Sequence, residues 1–139
     1  LFKELKPAEI TYDLCYKLIE KHSTYLHFIP QEYHTPEIIR LAITGFPATI
    51  KGYPVERMTS ELYMIAIESD PTLFVNVPDI HKTIIMCDFA VSKDPMNLRY
   101  VPDSLKTIAL CKIATHKNEW CIQYVPQSMR YKLNGPSVL

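Results

Sequence analysis

Two stretches decide the fold: KTIIMCDFAVSKDPMNLRYVP at residues 82–102 and KTIALCKIATHKNEWCIQYVP at residues 106–126. They align without a gap at an offset of 24 residues. The offset runs through the whole chain. Prolines stand at Pro30, Pro54, Pro78, Pro102 and Pro126, and threonines at Thr11, Thr35, Thr59, Thr83 and Thr107. Two five-membered series with one period and no slippage mark internal repetition, which outranks any local reading. The remaining positions agree. Leu14, Ile38, Leu62, Met86 and Leu110 form one apolar column, and Leu26, Ile50, Phe74, Leu98 and Ile122 form another. Ala42, Ala66, Ala90 and Ala114 fill a third, with Leu18 as its first member.

Local chemistry turns this register into structure. Threonine is a good N-cap, because its hydroxyl accepts from a free N–H of the first helical turn. Thr35-Pro36-Glu37 adds proline at the first helical position and an acid beside it. After Thr59, the apolar positions Leu62, Tyr63, Ile65, Ala66 and Ile67 make a stripe wide enough to meet neighbours on two sides. A second helix start follows at Asp70-Pro71, Asp94-Pro95 and Asn118, with a weaker one at Phe46-Pro47, which has no capping side chain. This second helix is expected to be short, about two turns. It should end before the recurring proline, since the residue ahead of a proline disfavours the α region. A plain turn should then lead to the next threonine.

The expected fold is all-α: tandem 24-residue helix-turn-helix repeats stacked as a short α-solenoid. The repeats are 11–34, 35–58, 59–82, 83–106 and 107–130, in a single domain spanning 1–139. Residues 1–10 read as the back half of a further repeat, through Phe2 and Leu5. Residues 131–139 leave the pattern, with Tyr131 in place of threonine and a turn signal at Asn134-Gly135-Pro136. A single hairpin this small cannot bury enough apolar surface to offset its ordering entropy, so stability should belong to the array.

The quoted stretches resemble the short repeats, of pattern KTxEhCxxAVxxxPxxLxYVPxxL, of a domain-of-unknown-function family that occurs in giant-virus and bacterial proteins, including secreted effectors. The likeness rests on the threonine column, Cys87, Cys111, the alanine column, Tyr100-Val101-Pro102 and Tyr124-Val125-Pro126. Early repeats depart from it: His34 and Met58 replace the lysine, and Ile39 and Tyr63 replace the cysteine. The resemblance implies a helical repeat module and no activity.

Composition narrows the function. Lys+Arg and Asp+Glu both number 15, for a formal net charge of zero, which removes general attraction to nucleic acid or anionic lipid. Residues 1–81 hold 7 Lys/Arg against 11 Asp/Glu, and residues 82–139 hold 8 against 4. No apolar run approaches the roughly 18 residues that span a bilayer. Leu1 is not an initiator Met and no signal segment follows it, so the native N-terminus is expected upstream. Cys15, Cys87, Cys111 and Cys121 form no CxxC pair, and the histidines have no zinc-site spacing. Reduced thiols, a cytoplasmic setting (the host cytosol, for a secreted effector) and no metal or cofactor are expected.

Catalytic chemistry finds no foothold. Cys15, Cys87 and Cys111 share a column with Ile39 and Tyr63, as buried structural thiols would. Cys121 follows His116 by five residues, without an orienting third group. His22, His27, His34, His81 and His116 scatter over different columns, as surface or turn residues do. No catalytic, cofactor-binding or metal-binding residue is expected, and the chain is expected not to be an enzyme.

Columns that vary in chemistry over a fixed framework are where repeat proteins usually read a partner. One is Tyr16, Arg40, Met64, Asp88, Lys112. A second is His27, Lys51, Val75, Arg99, Gln123. Trp120 either packs over an end of the array or stands exposed as a contact anchor. The expected function is a monomeric protein-interaction scaffold with a protein partner and no nucleic-acid or membrane partner. The alternative is a non-catalytic positioning arm of an enzyme whose catalytic domain lies elsewhere. A reader of RNA taking one base per repeat is a further class, which zero net charge disfavours.

Overall fold

A computed structural model describes residues 5–133. Every regular element among them is helical. Five ten-residue α-helices begin 24 residues apart: α1 (Tyr12–Lys21), α2 (Pro36–Gly45), α3 (Ser60–Ser69), α4 (Ile84–Lys93) and α5 (Ile108–Lys117). A seven-residue helix, α6 (Gln127–Leu133), follows. Each of the five starts the same way. The hydroxyl of Thr11, Thr35, Thr59, Thr83 or Thr107 accepts from the amide of Leu14, Ile38, Leu62, Met86 or Leu110, at 3.0–3.3 Å. One orphan donor of the first turn is thereby satisfied.

The second helices differ from the expectation in type. Ser23–Phe28, Pro47–Lys51, Pro71–Asn76, Pro95–Tyr100 and Glu119–Tyr124 are 3₁₀ helices. Five or six residues bounded by extended backbone leave room for few i→i−4 bonds, and the tighter i→i−3 pattern satisfies more carbonyls in that length. The capping residues act as the sequence suggested: Asp94 Oδ1 accepts from the Met96 amide and Asn118 Oδ1 from the Trp120 amide, both at 3.0 Å. Phe46 gives no side-chain cap, and the helix after it has only five residues, Pro47–Lys51.

The linker after each of the first four second helices is also more ordered than a plain turn. Gln31–Tyr33, Val55–Arg57, Asp79–His81 and Asp103–Leu105 each form one 3₁₀ turn. The carbonyl of the recurring proline closes it, accepting from the amide of Tyr33, Arg57, His81 or Leu105 at 2.8–3.1 Å. The proline therefore both ends one helix and starts the next turn, because its fixed φ suits the extended N-cap and only its carbonyl is needed there. Pro7–Glu9 forms the same turn 24 residues before Gln31–Tyr33, so the expected back half of an earlier repeat is helical where it is described. Phe2 and Asn134-Gly135-Pro136 lie outside the described residues. After Pro126 no threonine arrives at position 131 to restart the register, and α6 runs on through Tyr131 to Leu133.

The chain divides into two compact units, Leu1–Asp70 and Pro71–Leu139. In the first, α1 packs on α2 and α2 on α3; α2 also lies against Ser23–Phe28 and Pro47–Lys51. In the second, α4 packs on α5 and α5 on α6; α4 lies against Pro71–Asn76 and Pro95–Tyr100, and α5 against Pro95–Tyr100 and Glu119–Tyr124. Within each unit, then, α2, α4 and α5 contact both their own second helix and the preceding one. This arrangement is why the apolar stripe is wide. Ile38, Ile39, Ala42 and Ile43 are buried on α2, and Met86, Cys87, Ala90 and Val91 at the same positions of α4. The alanines, at 0% exposure, let backbones approach closely. On α1 only Cys15 and Ile19 are buried, and Leu14 is 37% exposed.

Candidate functional site

The candidate residues stand on two surfaces, one in each unit. In the first unit, Tyr16 of α1 and Glu37, Arg40, Leu41 and Thr44 of α2 line an open depression of about 460 Å³. Capped helices with buried inner faces turn these residues outward. The depression joins two members of the first variable column, Tyr16 and Arg40, as the register required. Three of its polar side chains are already engaged. Arg40 Nη2 pairs with Glu61 Oε1 of α3 at 2.7 Å. The Tyr12 hydroxyl lies 3.1 Å from Thr35 Oγ1 and donates to Glu37 Oε2 at 3.3 Å. Thr44 Oγ1 donates to the Arg40 carbonyl at 2.7 Å. Both members of the Arg40–Glu61 pair are largely exposed, so water screens it and it adds little stability. A ligand there would have to displace it. Met64 of the same column is half-buried on α3. His27 and Lys51 of the second column are exposed, with the His27 ring 4.1 Å from that of Phe28.

In the second unit the second column does the more open work. Pro71–Asn76 packs beside Pro95–Tyr100, and Pro95–Tyr100 beside Glu119–Tyr124. Residues i and i+3 of a 3₁₀ helix eclipse. Val75, Arg99 and Gln123 therefore lie in register with Thr72, Met96 and Trp120. Val75 is 47% exposed and Trp120 71%. Of the two readings of Trp120, only the exposed one describes its position. Gln123 Nε2 donates to the Trp120 carbonyl at 3.1 Å, and the Arg99 guanidinium sits 4.5 Å from the Tyr100 ring centroid. Asp88 and Lys112, of the first column, are exposed on α4 and α5.

Beneath this face lies a feature that the spacing concealed. Lys106 is buried and the side chain of Lys82 is only 5% exposed, and each reaches the end of the next 3₁₀ helix. Lys82 Nζ donates to the Tyr100 carbonyl at 2.5 Å and Lys106 Nζ to that of Tyr124 at 2.6 Å. Each also pairs with the acid three residues back, Asp79 or Asp103, at 3.0 Å. A cation at a helix C-terminus meets orphan carbonyls and the negative end of the dipole. The quoted KT pair held the signal: a lysine kept ahead of a capping threonine in a column otherwise occupied by Ile10, His34 and Met58. His34 was expected at a surface or turn. It is half-buried and bridges, Nε2 lying 2.8 Å from the Ile29 carbonyl and Nδ1 2.6 Å from the Tyr53 hydroxyl.

The four cysteines are free and buried. Burial pushes the Cys87 thiol up to about 11, and raises Cys15, Cys111 and Cys121 as well. A raised thiol is protonated at neutral pH and is a poor nucleophile. Cys121 Sγ contacts Met96 Sδ at 3.8 Å, and His116 is exposed. Among the described residues no group of three or more His, Cys, Asp and Glu side chains could hold a metal ion, and no helix is long and apolar enough to cross a membrane.

Residues 86–130 match a family model described as Domain of unknown function (DUF4116). The match begins in the first turn of α4, ends within α6, and lies wholly in the second unit. It contains Arg99, Trp120 and Gln123 together with the buried Lys106. No curated protein and no solved structure matches the chain.

Proposed function

We propose that this chain is a non-catalytic protein-interaction scaffold whose 24-residue segments, each an α-helix and a 3₁₀ helix, stack in tandem as a short α-solenoid. The observation that supports it most is the division of labour within each segment. Most framework positions are buried and apolar, while the second variable column is exposed at every member and changes chemistry: His27, Lys51, Val75, Arg99, Gln123. An exposed tryptophan and an exposed arginine on the neighbouring 3₁₀ helices Glu119–Tyr124 and Pro95–Tyr100 are residue types enriched at binding hot spots. The low nucleophilicity of the buried thiols fits binding better than covalent chemistry. The scaffold would act as a monomer in a reducing, cytoplasmic compartment, including a host cytosol if the chain belongs to a secreted effector.

The test is affinity capture with the chain followed by mass spectrometry, run in parallel with Trp120→Ala and Arg99→Glu. Both residues are exposed, so the variants should fold. A partner recovered by the parent and lost from both variants supports the scaffold. An identical set of proteins in all three captures would count against this face, and turnover by the isolated chain would remove the non-catalytic reading.

A further inference from the structure

The groove of the first unit carries a charge pattern that the second unit lacks. One repeat position, three residues ahead of the first variable column, is Asp13 on α1, Glu37 on α2 and Glu61 on α3, and becomes Ile85 on α4 and Ala109 on α5. All three acids are exposed, and α2 packs on both α1 and α3. Two of them meet at the depression of about 460 Å³. Glu37 lines it together with Tyr16 and Leu41, and Glu61 reaches it through the 2.7 Å pair with Arg40. Each acid stands in a first helical turn, where the helix start offsets only about half of its charge. Tyr12 joins the two walls, its hydroxyl donating to Glu37 Oε2 and its ring 6.3 Å from that of Tyr16. The wider field has the same sign, since residues 1–70 carry 10 Asp/Glu against 7 Lys/Arg.

Resting on the interaction reading above, we propose that this groove docks a basic protein segment, one of whose arginine or lysine side chains takes over Glu61 from Arg40. The side chains of Arg40 and Glu61 are 54% and 70% exposed, so their pair costs little to open. The exchange also leaves a cation on the same carboxylate. The incoming head has Glu37 as a second carboxylate in the same depression. Its aliphatic stem lies against Leu41 and Tyr16, and an aromatic ring attracts a cation. An acidic segment is the less favoured occupant, because the one cation at the groove, Arg40, stands between two carboxylates. A wholly apolar segment would strip water from Glu37 and return no charge to it.

The full chain is titrated into a short, blocked, fluorescein-labelled peptide alternating Arg and Leu, with Gln/Leu and Glu/Leu analogues beside it, and anisotropy is read. The expected result is saturable binding of the Arg/Leu peptide alone, weakened about tenfold by Glu37→Gln combined with Glu61→Gln, and by raised salt. Arg40→Ala should tighten binding about threefold, because a competing cation has left Glu61. Glu68→Gln, in the last turn of α3, should leave it unchanged. All four positions are exposed, so the variants should fold. No binding, equal binding of the Gln/Leu peptide, tighter binding of the Glu/Leu peptide, or weakening by Arg40→Ala would each overturn the proposal. So would an equal loss in Glu68→Gln, or self-association of the chain through Glu37 and Glu61. A captured partner lost from Trp120→Ala and retained by Glu37→Gln with Glu61→Gln would overturn it while leaving the scaffold reading intact.

Discussion

A threonine hydroxyl holding one amide is the smallest recurring part of this molecule, and its contribution can be measured. Thr83 Oγ1 accepts from the Met86 amide at 3.1 Å, and Thr83 is itself exposed. Thr83→Ala should therefore remove the cap without opening a cavity, costing about 1 kcal/mol in urea unfolding; an unchanged midpoint would show that water replaces the hydroxyl at no cost. The thiols make a second prediction. Their ordinary value is 9.0, and burial carries Cys87 to about 11. The folded chain then keeps protons that the unfolded chain releases, so stability should be level below about pH 9 and fall as pH rises toward 11. Thermal unfolding across that range checks the sign: a rising midpoint would contradict it. Native thiols should also resist a maleimide reagent at neutral pH and react once the chain is unfolded.

At the level of elements, the long helices were legible in the sequence and the short ones only partly. Threonine caps, the alanine column and the apolar stripe are local signals with one physical meaning each, and α1 to α5 start where they point. Helix type for Pro95–Tyr100 was not legible, because proline at N1 and aspartate at the N-cap start an α- or a 3₁₀ helix equally well. The turn at Asp103–Leu105 was hidden for a related reason: it hangs on the Pro102 carbonyl, which no side chain announces. Lys106 is legible as part of a motif but not as a bond, since its acceptor, the Tyr124 carbonyl, is 18 residues away. Lys106→Met tests that bond. Methionine is buried at the equivalent position 58, at 5% exposure, so the column accepts its shape. With packing kept and the cation gone, stability should drop by about 1–3 kcal/mol, the cost of a carbonyl left without its partner. No loss would mean that the lysine is held by the structure without stabilising it.

For the whole molecule, the proposed stacking makes cooperation between neighbours the source of stability. The candidate binding positions were legible as columns, because variation over a fixed frame is visible in one sequence. The difference between Arg40, paired with Glu61, and Arg99, resting on the Tyr100 ring, was not, since it depends on which groups each cation meets in space. The most direct measurement is far-ultraviolet circular dichroism of a synthetic peptide covering residues 83–106, beside the full chain in the same buffer. That peptide holds the threonine cap, α4 and the 3₁₀ helix Pro95–Tyr100, yet lacks both neighbours. Stability drawn from stacked neighbours gives a largely unstructured spectrum for the peptide and a helical, cooperatively melting one for the chain. A peptide that is helical in water and melts as the chain does would contradict it.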